Sequence, residues 1–127
     1  MVKKKKSSTP PTSQANSDSD RLFHEMKVEA ARALAMDPQN VRALAQAIAS
    51  TATGSDPEDE LCELLTLTLD QARMAQESGQ RFGTECLDAV SWHLAALSGK
   101  NALTLGGGIA ITRCYVRAGV PVPEHLA

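Results

Sequence analysis

The feature that most constrains this chain is a series of glycine and proline positions. From residue 20 onward they divide it into segments of helical length. Asp37-Pro38, Gly54, Gly79, Gly99 and Gly119 each follow a segment whose apolar residues recur every three or four positions. Such a period places apolar side chains on one face of an α-helix. Short connections make successive helices antiparallel neighbours. The sequence therefore predicts an all-α fold, a compact bundle of four to five helices.

Helix start and stop signals place the boundaries. Ser19 and Asp20 can cap a first helix that ends near Met36, with Phe23, Met26, Ala30, Ala33 and Leu34 as its inward stripe. A second helix follows from Pro38 to about Ala52. The segment from Ser55 to Glu60 begins a third, because it offers a cap, a first-turn proline and acids at the positive end of the helix dipole. The third helix ends near Ser78.

The last two helices are predicted to end near Ser98 and Ala118. Gly83 lies near the start of the fourth and is expected to delay or kink it. Gly119-Val120-Pro121 is typical of a Schellman stop. Residues 103–111 contain three consecutive glycines and leave a β-hairpin as an alternative. We favour a helix there, because the stop signal is good and a lone hairpin has no sheet to join.

The charge of the chain is unevenly distributed. Four lysines and one aspartate give residues 1–19 a charge of +3, whereas nine basic and fourteen acidic residues give residues 20–127 a charge of −5. Residues 1–19 contain almost nothing to bury, so we predict a disordered basic and polar tail on a single helical domain, 20–127. An acidic domain repels nucleic acid, since cationic side chains supply most non-specific affinity for phosphates. The sequence therefore argues against a nucleic-acid partner.

The cysteines and the apolar runs indicate a cytoplasmic protein. Cys62, Cys86 and Cys114 form an odd set without a CxxC pair, as expected for free thiols in a reducing compartment. No secretory signal follows the lysines. The longest nearly apolar run, residues 102–112, is far shorter than the roughly 20 residues that span a bilayer. We therefore predict no membrane span.

Apolar residues outside the expected inner faces suggest an interface. On the third helix, two such residues either make the helix central or face a second chain. The fifth helix is apolar on two opposite sides, so it is either the hub of the bundle or part of an oligomer interface. A tryptophan on the fourth helix lies among acids and either anchors a partner or packs against the edge of a neighbouring helix. The candidate interface residues are Leu67, Met74, Trp92, Leu105, Ile109 and Val116.

Candidate chemistry is sparse. Cys86, His93 and Cys114 are the side chains that could line an internal pocket. Cys86 and His93 are seven residues apart, which is about 10 Å along a helix, so one zinc ion would not reach both. Residues 106–108 match neither phosphate-loop pattern. The sequence thus indicates no catalytic residue, metal or cofactor.

The helical corner at residues 33–40 (Ala-Leu-Ala-Met-Asp-Pro-Gln-Asn) resembles the corner between tetratricopeptide-repeat helices, and this likeness carries no function. The leading hypothesis is a non-catalytic interaction or assembly module that self-associates, with a homodimer as the default form or another protein as partner. One alternative is a ligand-binding or enzymatic bundle with its site near His93. A second is a nucleic-acid-associated regulator that acts through the lysine-rich tail.

Overall fold

The computed structural model describes residues 10–51 and 56–126. Its helices are α1 (Pro10–Ala35), α2 (Pro38–Thr51), α3 (Asp56–Glu77), α4 (Arg81–Gly99) and α5 (Leu105–Ala118), followed by a short 3₁₀ turn, Glu124–Leu126. The described residues contain no strand, and the predicted all-α bundle is confirmed. None of these helices is both long enough and apolar enough to cross a membrane.

The centre of the bundle is the pair α2 and α3. These two helices pack against each other, and each also packs against both α4 and α5, whereas α1 lies mainly along α3. The core consists of aliphatic, alanine and cysteine side chains, and Tyr115 is its one aromatic residue. Its largest aliphatic members are Ile48, Leu65, Leu69, Leu94 and Ile111. This composition follows from the low aromatic content of the chain, 3%.

The ends of α3 and α5 have the same hydrogen-bond pattern. Gly119 has a φ of 72°, its N–H donates to the Val116 carbonyl at 3.1 Å, and the Val120 N–H donates to the Tyr115 carbonyl at 3.1 Å. This is the Schellman stop that the sequence predicted. Gly79, with a φ of 79°, ends α3 in the same way.

The end of α4 differs from the prediction. Gly99 is its last helical residue, and the left-handed position is taken by Asn101, with a φ of 56°. The Asn101 N–H donates to the Ser98 carbonyl at 3.0 Å, and the Ala102 N–H donates to the Leu97 carbonyl at 2.8 Å. Asparagine tolerates this conformation better than most residues. The sequence therefore placed the stop two residues too early.

The start of α5 settles the alternative left open for residues 103–111. Thr104 is extended, and its Oγ1 accepts a hydrogen bond of 2.9 Å from the Gly107 N–H. The segment is helical from Leu105, so the hairpin alternative is wrong. A Cβ added at Gly107 would lie 3.2 Å from Ala49 Cα, so this glycine lets α5 approach α2 closely.

Gly83 plays a similar role between α3 and α4. The helix begins at Arg81, so the glycine does not delay it. A Cβ at Gly83 would lie 2.5 Å from the Ala72 carbonyl oxygen and 2.5 Å from the Gln76 nitrogen. Only a residue without a side chain fits there, and the two backbones can therefore meet.

The first helix starts earlier than predicted. It begins at Pro10, whereas the capping signal had placed its start near Asp20. Prolines are tolerated in a first turn because the amide hydrogens there have no acceptor within the helix. The rest of the predicted tail, residues 1–9, lies outside the described residues, as do residues 52–55, where the second helix was expected to end.

The inward face of α1 also differs from the prediction. Ala31 and Ala35 are fully buried. Four members of the predicted inward stripe are exposed, and the fifth, Leu34, is half-buried; the exposed members are Phe23, Met26, Ala30 and Ala33. Small side chains let two helices approach closely, so α1 turns Ala31 and Ala35 toward the bundle and leaves Phe23 and Met26 outside.

Candidate interaction surface

The fifth helix presents two different sides. Its inner side carries the buried Ile111, Cys114 and Tyr115. Its outer side carries Leu105, Ile109 and Val116, of which 84%, 52% and 64% are exposed. The sequence predicted two opposite apolar sides on this helix. The structure places the inner one in the core and leaves the outer one facing solvent.

The outer residues form a continuous line, hereafter the α5 stripe: Leu105, Ile109, Thr112 and Val116. Their spacing of four, three and four residues keeps them within an arc of roughly 60°, since each residue advances the helix by about 100°. This is the spacing with which one helix packs its side chains into another. Arg113 and Arg117 border the stripe and are exposed. The segment contains no acidic residue, so this surface is apolar with a basic edge.

A cavity of about 390 Å³ lies beside the first half of the stripe. Leu103, His125 and Leu126 contribute to its lining from outside α5. The Nε2 atom of His125 is buried and has no hydrogen-bond partner among the described residues. The apolar surface therefore extends from the helix onto the chain segment that follows it.

The other candidate interface residues lie elsewhere. On α3, Leu67 is half-buried and Met74 is exposed. Trp92 on α4 is 68% exposed. Among the described helices, α4 and α5 pack mainly across α2 and α3 rather than against each other. Trp92 is therefore separate from the α5 stripe, and the six candidates do not form one surface.

Sequence reasoning missed a second apolar surface, the α1–α3 groove, of about 340 Å³. Its apolar lining comes from both helices: Phe23, Met26 and Ala30 on α1, and Leu61 and Leu64 on α3. Phe23 is 55% and Met26 is 72% exposed. The available signal was the pair Ala31 and Ala35, one helical turn apart, which marks the true inner face of α1.

The edge of the α1–α3 groove is acidic. Glu60 belongs to its lining and is exposed. It takes no part in the salt bridges found between described residues. The cation of the groove, Lys27, is already engaged: its Nζ lies 2.8 Å from Glu63 Oε1 and 4.4 Å from the centre of the Phe23 ring. Glu60 thus leaves net negative charge at the edge.

The three candidate pocket residues lie inside the bundle. Cys86 and Cys114 are buried, and the Cys114 thiol donates a hydrogen bond of 3.3 Å to the Cys62 carbonyl. His93 is half-buried, and its Nε2 has no hydrogen-bond partner among the described residues. Neither the cavity beside the α5 stripe nor the α1–α3 groove includes Cys86, His93 or Cys114.

The protonation of these side chains follows from their burial. Burial raises the pKa of Cys62 and of Cys86 to about 12. It also raises the pKa of Cys114. The pKa of His93 is lowered, first by burial and then by the nearby charge of Arg42. At neutral pH these groups are therefore uncharged, as suits a packed interior.

Comparison with known proteins identifies a family for this chain. No curated protein and no solved structure matches the chain. The model of the family described as "Uncharacterised protein y4lR N-terminal domain" matches residues 4–123, which include nearly the whole described bundle. The chain therefore belongs to the y4lR N-terminal domain family.

Proposed function

We propose that this domain is a non-catalytic assembly module that associates with further copies of itself through the α5 stripe. The observation that carries the proposal is the position of Leu105, Ile109 and Val116 on the solvent-facing side of a helix whose opposite side is buried. A single exposed apolar residue is ordinary on a protein surface. A contiguous apolar line on the outside of a helix is typical of an interaction site.

The energetics favour covering the stripe. Full burial of one large aliphatic side chain is worth about 1.5–3 kcal/mol relative to exposure. The three exposed residues of the stripe offer several such contributions in one place. The cavity beside Leu105 enlarges the surface that a partner can cover. Both features lie on elements that the core holds in place, so little ordering is needed before a partner binds.

The protonation state of the buried thiols supports a non-catalytic role. The reactive form of cysteine is the thiolate. With the pKa of Cys62 and Cys86 near 12, these thiols stay protonated at neutral pH. All three cysteines are buried and free, which also supports a reducing compartment, and we propose the cytoplasm.

Sedimentation equilibrium of the full chain tests self-association. We expect the mass to rise above that of one chain as concentration increases. The substitution Ile109→Glu places a charge in the middle of the stripe and should shift the equilibrium to the monomer. The matched control is Met36→Glu, because Met36 is 59% exposed and lies outside the α5 stripe.

Two results would overturn the proposal. One is a wild-type chain that remains a monomer up to its solubility limit. The other is association that Ile109→Glu leaves as strong as Met36→Glu does. Circular dichroism melting of each variant separates loss of association from loss of the fold.

A further inference from the structure

We propose that the α5 stripe of one copy docks into the α1–α3 groove of another copy, so that self-association is head-to-tail. The inference rests on the proposed self-association and names the surface that receives the stripe. It joins the two exposed apolar surfaces described above, which lie on different parts of the molecule. Each surface then serves as the partner of the other.

The two surfaces match in shape and polarity. The α5 stripe is a convex line on one helix, in which Leu105, Ile109 and Val116 are exposed aliphatic side chains and Thr112 is half-buried. The α1–α3 groove is a concave apolar channel between two helices, with Phe23 and Met26 still largely exposed. A helix that lays an apolar face into such a groove is a recurrent mode of recognition. The match predicts that Ile109, at the middle of the stripe, enters the groove.

Their charges are also complementary. The α5 stripe is bordered by Arg113 and Arg117, with no acidic residue in the helix. The α1–α3 groove is bordered by the exposed Glu60, while Lys27 is already paired with Glu63. Opposite charges at the edges of an apolar contact set its orientation and disfavour other pairings. Two α5 stripes facing each other would instead bring arginines from both copies together.

The stripe and the groove of one molecule lie apart, so the stripe that fills a groove must come from a second copy. The helices α1 and α5 each pack against α3, and they are not among the helix pairs that pack extensively together. A molecule therefore does not fill its own groove with its own stripe. Because the two surfaces differ, each copy that binds still has one surface free. Such an interface builds a ring if the rotation closes and a filament if it does not.

A mixing experiment tests the head-to-tail arrangement. Ile109→Glu disables the stripe and leaves the groove intact, whereas Met26→Glu disables the groove and leaves the stripe intact. Each variant alone should associate more weakly than wild type by roughly tenfold or more, as expected at the centre of an interface. Mixed in equal amounts, the two should form a dimer with one copy of each and nothing larger. Both introduced residues are acidic, so the disabled surfaces repel each other.

The outcomes separate this inference from the proposed function. A monomeric wild type would refute both. A wild type that associates, with Met26→Glu associating equally well, would retain self-association and refute the groove as its partner. Two monomeric variants that stay monomeric when mixed would also refute the head-to-tail arrangement, provided that both retain the melting temperature of the Met36→Glu control.

A charge exchange gives a second, independent arm. Arg113→Glu and Glu60→Arg should each weaken association of the full chain, and the chain that carries both should regain part of it. Regain in the double variant supports contact between the two edges. Additive weakening would contradict it.

Discussion

The helices α1 and α5 occupy comparable places at the edge of α3 but are attached in different ways. Both expose large apolar residues to solvent. On the inside, α5 is held by Ile111 and Tyr115, which are fully buried, and its ends are closed by a threonine cap and a Schellman stop. By contrast, the fully buried residues of α1 are the small Ala31 and Ala35, and the larger Leu34 packs against the core while only half-buried. An apolar outer face therefore says little about how firmly a helix is held.

The difference in buried side chains between α1 and α5 indicates which part of the domain opens first. Alanine buries little area, so each contact of α1 contributes less than a contact of Tyr115 or Ile111. Helices with few large buried side chains open at lower free energy than the core of a domain. The acceptor groove of the proposed assembly thus lies on the less firmly held helix, and the inserted stripe lies on the firmly held one.

The largest test of this comparison replaces one aromatic residue on each helix. Tyr115→Ala removes the buried aromatic of α5 and should lower the free energy of unfolding by about 3–5 kcal/mol. Phe23→Ala on α1 should lower it by less than about 1 kcal/mol, since Phe23 is mostly exposed. Urea denaturation followed by circular dichroism measures both. Equal losses from the two variants would remove the distinction between the helices.

The next test concerns how closely α5 packs against α2. A Cβ at Gly107 would crowd the backbone of Ala49, whereas a Cβ at Gly108 would meet nothing within 4 Å. Gly107→Ala should lower stability by up to about 2 kcal/mol, because overpacking costs about 1–3 kcal/mol and the helix preference of alanine returns about 1 kcal/mol. Gly108→Ala should raise it by about 0.5–1 kcal/mol, because alanine favours the helix. Thermal melts of this matched pair, at a concentration where the chain is monomeric, should shift in opposite directions.

A third test concerns the polar end of Tyr115. Its hydroxyl is buried and has no hydrogen-bond partner among the described residues, and burial raises its pKa. Tyr115→Phe removes this unsatisfied group and keeps the ring, so stability should stay equal or rise by up to about 1 kcal/mol. A clear loss of stability in denaturant would show that the hydroxyl has a partner and that α5 is held by more than apolar packing.

The smallest expected effect belongs to α1. Lys27→Gln removes the ion pair with Glu63, whose two side chains are 23% and 43% exposed. Exposed pairs contribute about 0.2–1 kcal/mol, and salt weakens them further. Amide hydrogen exchange should show faster exchange within α1 and little change within α5. A uniform change in both helices would mean that α1 does not open separately.

The sequence predicted most of α5 and little of the surface of α1, for a physical reason. On α5, two apolar stripes and the stop at Gly119 favour one helix with two apolar sides, whereas the capping role of Thr104 was not predicted. On α1, a pattern based on hydrophobicity gives Phe23 and Met26 more weight than alanine. Close helix contacts instead favour small residues, and the pair Ala31 and Ala35 decides which face turns inward.

The same reasoning explains the other differences. The stop at Asn101 was missed because glycine is the usual left-handed residue and Gly99 lay nearby. The role of Gly83 was missed because one sequence does not reveal which backbone lies opposite it; here Ala72 and Gln76 leave no room for a side chain. The α1–α3 groove depends on the rotation of α1 about its own axis. Because the sequence did not predict that rotation, it did not predict the groove.

The positions of the cysteines allow thiol modification to report transient opening of the bundle. The three thiols lie on α3, α4 and α5, all buried, and the first two helices carry none. A thiol-specific reagent can react only when the inner bundle separates, since each thiol must reach water and ionise first. The rate of thiol modification therefore measures how often the inner bundle opens. It does not detect the detachment of α1. A single cysteine introduced on the inner face of α1, at the fully buried Ala31, would report the detachment of that helix.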